Sequence, residues 1–306
     1  MRVAGRLIES GRNTEPGSGD EPSARQLLVW GTAGQRRLRD ASVAVVGVGG
    51  TGSHVAIQLA HLGIGRLALV DPDVVEASNL GRLVGATAND VGRPKVEVLA
   101  LAAAGIRPEI VVEPIVHSVL DLDADVLASK DLIVCCTDGH GSRALLTELA
   151  AQYLVTLIDL GVEVQSSQGS TRAGGGVRIV RPGAPCLHCM NVLDSALVRE
   201  EFLSDAQRDE EEKRGYLRGS SEPAPSVIAL NGVIASLAVV EVLNELLGLF
   251  AESPRRLLYR AEARSVTTAD ATGQHGCYVC RPGGITGLGD ARRLPRRQAE
   301  PRRGSG

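Results

Sequence analysis

One short stretch limits the fold more than any other. The apolar run of residues 43–46 ends in Gly-Val-Gly-Gly-Thr-Gly, residues 47–52. An aliphatic run of that kind reads as a parallel strand buried on both faces. A glycine-rich turn leading straight into a helix makes the corner of a βαβ unit, because glycine allows both the tight bend and a close approach of backbone to phosphate. Gly47, Gly49 and Gly52 hold the three motif positions, and Gly50 opens the helix. The first N–H groups of that helix have no partner within it, and its dipole points its positive end at the turn, so an anion is favoured there. Asp71 lies 19 residues beyond Gly52, where the next apolar run ends. A carboxylate at such a strand end accepts hydrogen bonds from ribose hydroxyls.

The same alternation continues along the chain. Helices are expected over 24–38, 50–62, 94–104, 142–153 and 227–247, and strands over 43–46, 67–70, 110–116, 131–135 and 155–160. Alternating strands and helices give an α/β fold, a doubly wound, Rossmann-like and mostly parallel sheet covered on both faces. Residues 162–168 and 174–180 read as two strands with no helix between them, and 256–259 as a late one, so antiparallel strands should extend the sheet. Aromatic residues make up only 2% of the chain, so the core must be aliphatic.

Composition marks off the ends. Residues 1–22 are rich in Gly, Ser, Pro and Glu, and 282–306 carry six arginines; both are expected to be disordered. A single domain then fills 23–281, with a crossover segment at about 190–224. That segment holds the charge-dense run 199–214 followed by Ser-Ser-Glu-Pro-Ala-Pro, and is expected to be mobile. The N-terminus has no apolar run of secretory-signal length. The longest apolar region, 227–250, is interrupted by Asn231, Glu241, Asn244 and Glu245, which argues against a membrane span. A net charge of −3 and few stacking aromatics argue against nucleic acid. The expectation is a soluble, cytoplasmic protein.

The glycine corner alone would suit NAD and an oxidoreductase. Arg82, Lys95 and Asp138 favour a triphosphate instead. Lysine is a compact charge for phosphate oxygens, and arginine binds them through two parallel hydrogen bonds. A carboxylate after the fourth strand suits Mg²⁺, which binds through one or two carboxylates and phosphates. Taken singly, the two cations also read as solvated surface charges, and Asp138 as the cap of the helix that follows Gly139.

The six cysteines include two Cys-x-x-Cys pairs, Cys186/Cys189 and Cys277/Cys280. Four thiolates in such pairs read as a tetrahedral structural zinc site, with redox pairs as the rival. His188 and His275 stand beside them, but the four-cysteine set is complete without either. Cys135 and Cys136 read as small apolar residues at a strand end.

Taken together, Arg25–Gln26, the glycine corner, Asp-Pro-Asp-Val-Val-Glu-Ala-Ser-Asn-Leu-Gly-Arg at 71–82, Gly-Arg-Pro-Lys-Val-Glu at 92–97, Cys-Thr-Asp-Gly at 136–139 and the two cysteine pairs resemble the ThiF/MoeB/HesA family, relatives of the ubiquitin-activating enzymes. The resemblance covers about 25–281. It implies an enzyme that uses ATP and Mg²⁺ to adenylate the C-terminal carboxylate of a ubiquitin-like or sulfur-carrier protein, or of a ribosomal peptide in natural-product synthesis. It places Asp71 on the ribose, Asn79, Arg82 and Lys95 on the phosphates, and Asp138 on magnesium. Arg25 matches an arginine inserted into a neighbouring subunit's site, which implies a homodimer.

Two departures qualify the resemblance. Many relatives carry a thioester-forming cysteine in the crossover, and this chain has no cysteine between Cys189 and Cys277. Adenylation without an enzyme-bound thioester is therefore expected. Ser-Asn-Leu-Gly-Arg-Leu stands where sulfur-carrier activators commonly have Ser-Asn-Leu-Gln-Arg-Gln, which leaves a carrier protein, a peptide and a conjugation or defence partner all open. An NAD-dependent oxidoreductase and a catalytically silent scaffold are the readings from other classes.

Overall fold

The computed structural model describes residues 21–167, 170–214, 217, 225–250, 254–274 and 276–297. Its elements run α1 (Ala24–Asp40), β1 (Ser42–Val46), α2 (Gly50–Leu62), β2 (Arg66–Val70), α3 (Lys95–Ile106), β3 (Val111–Ile115), α4 (Ala124–Ala128), β4 (Leu132–Cys135), α5 (His140–Tyr153), β5 (Thr156–Ser167), β6 (Ser170–Val180), α6 (Ser195–Glu201), α7 (Asp205–Lys213), α8 (Ile228–Leu247), β7 (Arg256–Arg260) and β8 (Ser265–Ala269). The eight strands form one sheet in the order β3-β2-β1-β4-β5-β6-β7-β8. Strands β1 to β5 pair in parallel, and β5 to β8 pair antiparallel. The doubly wound, mixed sheet expected from the sequence is the one observed.

Every residue of β1 is buried. Side chains alternate across a strand, so β1 feeds two cores. Val43 and Val45 face α2, α3 and α8, where Val55, Leu59, Leu99, Ala238 and Val242 are fully or almost fully buried. Ala44 and Val46 face the other way, towards Leu145, Leu146 and Leu149 of α5. Both cores are aliphatic, as the scarcity of aromatics requires.

Helix α8 has the length and apolarity of a membrane span, but it packs against α2, β5 and β6 with Asn231, Glu241 and Asn244 buried. Helix α1 is broken at Gly31, whose φ is +67°.

Three sequence expectations need correction, and one strand lies outside them. The sequence divides 155–160 and 162–168 into separate strands, but β5 is one continuous strand through Gly161. Gly161 does not end it; the missing side chain leaves room for the Arg143 guanidinium, 3.0 Å from where a Cβ would stand. Strand β8 has no sequence expectation behind it, because it is a mostly exposed, polar edge with no apolar face to betray it. The crossover is helical where mobility was expected. Asp194 caps α6 and Ser204 caps α7 through a capping box with Gln207, and an Arg199–Glu211 ion pair joins the two helices. Finally, the arginine-rich tail is ordered from Pro282 to Arg297. Tyr153 Oη donates to Asp290 at 2.6 Å, Arg292 lies 3.7 Å from Glu148, Arg296 pairs with Asp123, and Leu294 packs against the second core. The disorder expected of residues 1–20, most of 215–224 and 298–306 falls outside the described residues.

Candidate active site

In an open α/β sheet, ligands bind beyond the carboxyl ends of the strands where the strand order reverses. Here the reversal lies between β1 and β4. A cleft of about 720 Å³ opens there, lined by the glycine corner, the ends of β2 and β4, and the first turns of α2 and α5.

The corner is built by backbone hydrogen bonds. Gly47, at φ +83°, donates to Val70 O at 2.8 Å, which ties β1 to β2. Val48 N donates to Asp71 Oδ2 at 2.8 Å, and Asp73 N to Asp71 Oδ1 at 2.9 Å. Asp71 is buried, and burial is the largest influence on it, pushing its carboxyl upward; the two N–H groups and Lys95 pull the other way. Each carboxylate oxygen keeps accepting capacity for a ribose hydroxyl. A Cβ on Gly52 would stand 1.9 Å from Gly47 O, so only glycine lets α2 start this close to the turn.

Lys95 is the first residue of α3, only 8% exposed, and its Nζ is 2.8 Å from Asp73 Oδ2. Lys95 and Arg82, which donates to Ser78 O at 2.9 Å, both line the cleft. Asp138 and Gly139 line it too. The sequence offered a second job for Asp138, capping α5. The structure gives that job to Glu201 of α6, which accepts from Ser142 N at 3.2 Å. Asp138 is exposed on the cleft.

Among the sequence-derived site residues, Gly47, Gly49, Gly50, Asp71, Arg82, Lys95 and Asp138 thus share one cleft. Asn79 does not line it. It is buried within its own turn, where its Oδ1 accepts from Glu76 N at 3.3 Å and its carbonyl accepts from Arg82 N at 2.9 Å. It shapes the turn that presents Arg82. Arg25 is exposed on α1, outside the cleft.

Sequence reasoning missed an ion triad built on a buried carboxylate beside the cleft. Asp159 of β5 is fully buried between Arg143 Nε at 3.0 Å and Arg178 Nη1 at 2.8 Å. The signal was available: Asp159 is the one carboxylate in the apolar run 155–160. Arg143, Gly161 and Val162 also line a second cleft of about 700 Å³, which runs over Gly174, Gly175 and Gly176 of β6. Arg143 thus borders both clefts. Asp159→Asn should destabilise the fold by about 3 kcal/mol, because two partly exposed guanidiniums then face a neutral amide at a fully buried position. Chemical denaturation would measure it, and a change below about 1 kcal/mol would mean that the triad is no more than a surface-like pair.

The four paired cysteines meet. Their sulfurs all lie within 4.8 Å of one another, with Cys186–Cys277 at 3.6 Å and Cys189–Cys280 at 3.4 Å. Four thiolates at zinc–sulfur bonds of about 2.3 Å stand about 3.8 Å apart, so this donor set fits zinc. Gln274 N donates to Cys189 Sγ at 3.3 Å, and Tyr278 Oη donates to Glu148 Oε1 at 2.7 Å, fastening the cluster to α5. The other two cysteines are different. Burial pushes Cys135 up to about 12 and Cys136 well above its ordinary value, so neither is a ready thiolate.

Comparison with known proteins adds four findings. The ThiF family model matches residues 23–279. The molybdopterin-synthase adenylyltransferase of Salmonella typhimurium is 32% identical over 264 residues, covering 84% of this chain and 94% of its own. The SAMP-activating enzyme E1 of Haloferax volcanii is 35% identical over 161 residues, 52% of this chain; the match spans only 57% of that enzyme's length. In fold, the chain is similar to Escherichia coli MccB crystallised with AMPCPP and MccA, with a TM-score of 0.68, 24% identity, and coverage of 87% of this chain and 76% of that one.

Proposed function

Because the chain belongs to the ThiF family, we propose that it is an ATP-dependent adenylyltransferase that activates the C-terminal carboxylate of a carrier protein or peptide as an acyl-adenylate. The observation that carries this reading is the gathering of Asp71, Arg82, Lys95 and Asp138 over one glycine corner. A redox cofactor would give no work to the last three.

A carboxylate is ionised at neutral pH and needs no general base to attack the α-phosphorus. The chain's task is positioning, together with neutralising charge on the phosphates and on departing pyrophosphate. Asp71 orients the ribose. The free N–H groups at the start of α2 face the phosphates. Lys95 and Arg82 take up the charge that develops on the leaving group. Magnesium, held at Asp138, would neutralise phosphate charge further. Arg143, which borders both clefts, meets the incoming acid. Zinc at Cys186, Cys189, Cys277 and Cys280 is structural in this reading, and the adenylate is passed on without a thioester on the enzyme.

The acceptor is a C-terminal carboxylate, in line with relatives named for molybdopterin synthase and SAMP and with a fold neighbour crystallised with MccA. The protein is a homodimer in this reading. The exposed Leu28 and Val29 of α1 offer an apolar contact close to Arg25, which would reach the neighbouring cleft.

ATP–pyrophosphate exchange tests the reaction. Exchange should depend on an acceptor ending in a free carboxylate and vanish when that terminus is amidated. Hydride transfer to NAD without ATP turnover would overturn the reading.

A further inference from the structure

The residue before helix α5 is Gly139, which has no side chain with which to cap it. The orphan N–H groups of a first turn need an acceptor, and the N-terminal side chain usually supplies it. Here it comes from another element. Glu201, the last residue of α6, accepts from Ser142 N at 3.2 Å and from Ser142 Oγ at 3.4 Å. The fit is built into α5. A Cβ on Gly139 would stand 2.5 Å from Glu201 Oε2, and one on Gly141 would stand 2.7 Å from Glu201 Cβ. Two small residues thus make the seat for one side chain of the crossover.

The location matters. Ser142, Gly139, Asp138 and Glu201 all line the nucleotide cleft. So do Pro225, Ser226 and Asn231, where the chain returns after the crossover, and Asn231 Nδ2 lies 2.4 Å from the place of a Cβ on Gly50. The crossover is anchored beside the first turns of both helices that flank the cleft.

We propose that Glu201 is a positioning residue that registers the crossover against the cleft by capping α5. This rests on the adenylation reading for its effect on activity, though not for the contact itself. A carboxylate accepting a backbone N–H is a strong, charge-assisted bond, and it sits on the positive end of the helix. It fixes α6 at the wall where Asp138 faces the triphosphate, which leaves Asp138 free of capping. An acceptor entering past Arg143 then meets an ordered wall.

The test uses the full chain and three variants. Glu201→Ala removes the cap. Glu201→Gln keeps a carbonyl acceptor for Ser142 N without the charge. Gly141→Ala leaves Glu201 in place but unseats it, in a substitution that itself favours helix. Hydrogen exchange is read on α5 and α6 without ligands. ATP–pyrophosphate exchange is read with a synthetic peptide ending in a free Gly-Gly carboxylate. Glu201→Ala and Gly141→Ala should speed exchange in the first turn of α5 and in α6, and raise the KM for the peptide about 10-fold with kcat little changed, the loss of one charge-assisted bond. Glu201→Gln should restore part of both, as a neutral acceptor makes a weaker bond. Unchanged hydrogen exchange in Glu201→Ala would overturn the proposal. So would Gly141→Ala with wild-type hydrogen exchange, since the seat would then not hold the cap. If the wild type lacked pyrophosphate exchange altogether, the adenylation reading would fail while hydrogen exchange still decided the cap.

Discussion

Lys95→Ala should reduce ATP–pyrophosphate exchange by roughly 10²–10³-fold, the usual loss when one preorganised charge is taken from a site that stabilises a developing anion. Stability should change little. The ion pair of Lys95 involves Asp73, whose side chain is 62% exposed and needs no partner once the lysine is gone. Position also argues for function over folding. A cation at the first residue of a helix opposes the helix dipole, and Lys95 opens α3. A sequence chosen for stability alone would put an acid there. Thermal melts and steady-state kinetics on the same preparation would check this. A variant that turned over at the wild-type rate would remove Lys95 from the phosphate site, and one that failed to fold would make it structural.

Loss of the metal should be the largest change in stability. Cys277→Ser, or removal of the ion with a strong chelator, should lower Tm by on the order of 10 °C, since a domain of this size shifts about 2–4 °C per kcal/mol and a site of four thiolates contributes several. Cys186 and Cys277 are 91 residues apart in sequence, so an ion there closes a long loop and holds the end of the chain against α5. Without a metal the thiols suit one another badly. Cys277 feels burial, which raises it, but neighbouring N–H groups and thiols bring it to about 7, while burial pushes Cys280 up to about 11 and Cys186 higher still. Metal analysis should give about one zinc per chain in the wild type and little in the variant. Four thiols titrating freely in the native wild type, with no metal, would favour the redox reading.

The sheet was legible where burial leaves a local mark. Residues 43–46 and 132–135 are apolar runs because β1 and β4 are covered on both faces, and the glycine corner declares itself by residue type. The cleft residues Asp71, Arg82, Lys95 and Asp138 were legible because each is tied to a motif at a fixed offset. What was lost depends on partners distant in the chain. Asp159 finds Arg143 and Arg178 on α5 and β6, Glu201 finds Ser142 from 59 residues away, and nothing local announces either. Strand β8 is an exposed edge without an apolar face. The order of the tail is hidden in the sequence for a related reason. Its order comes from pairing arginines with Glu148, Asp123 and Asp121, and an arginine-rich stretch shows no periodicity that reveals such pairing.

That tail also redraws the limits of the working unit. The ThiF family match ends at residue 279, and the chain beyond it lies along α4 and α5 and pairs Arg297 with Asp121, two residues past Val119 in the cleft wall. The physical body that backs the cleft therefore extends past the matched residues, and residues 282–297 act as a brace behind it.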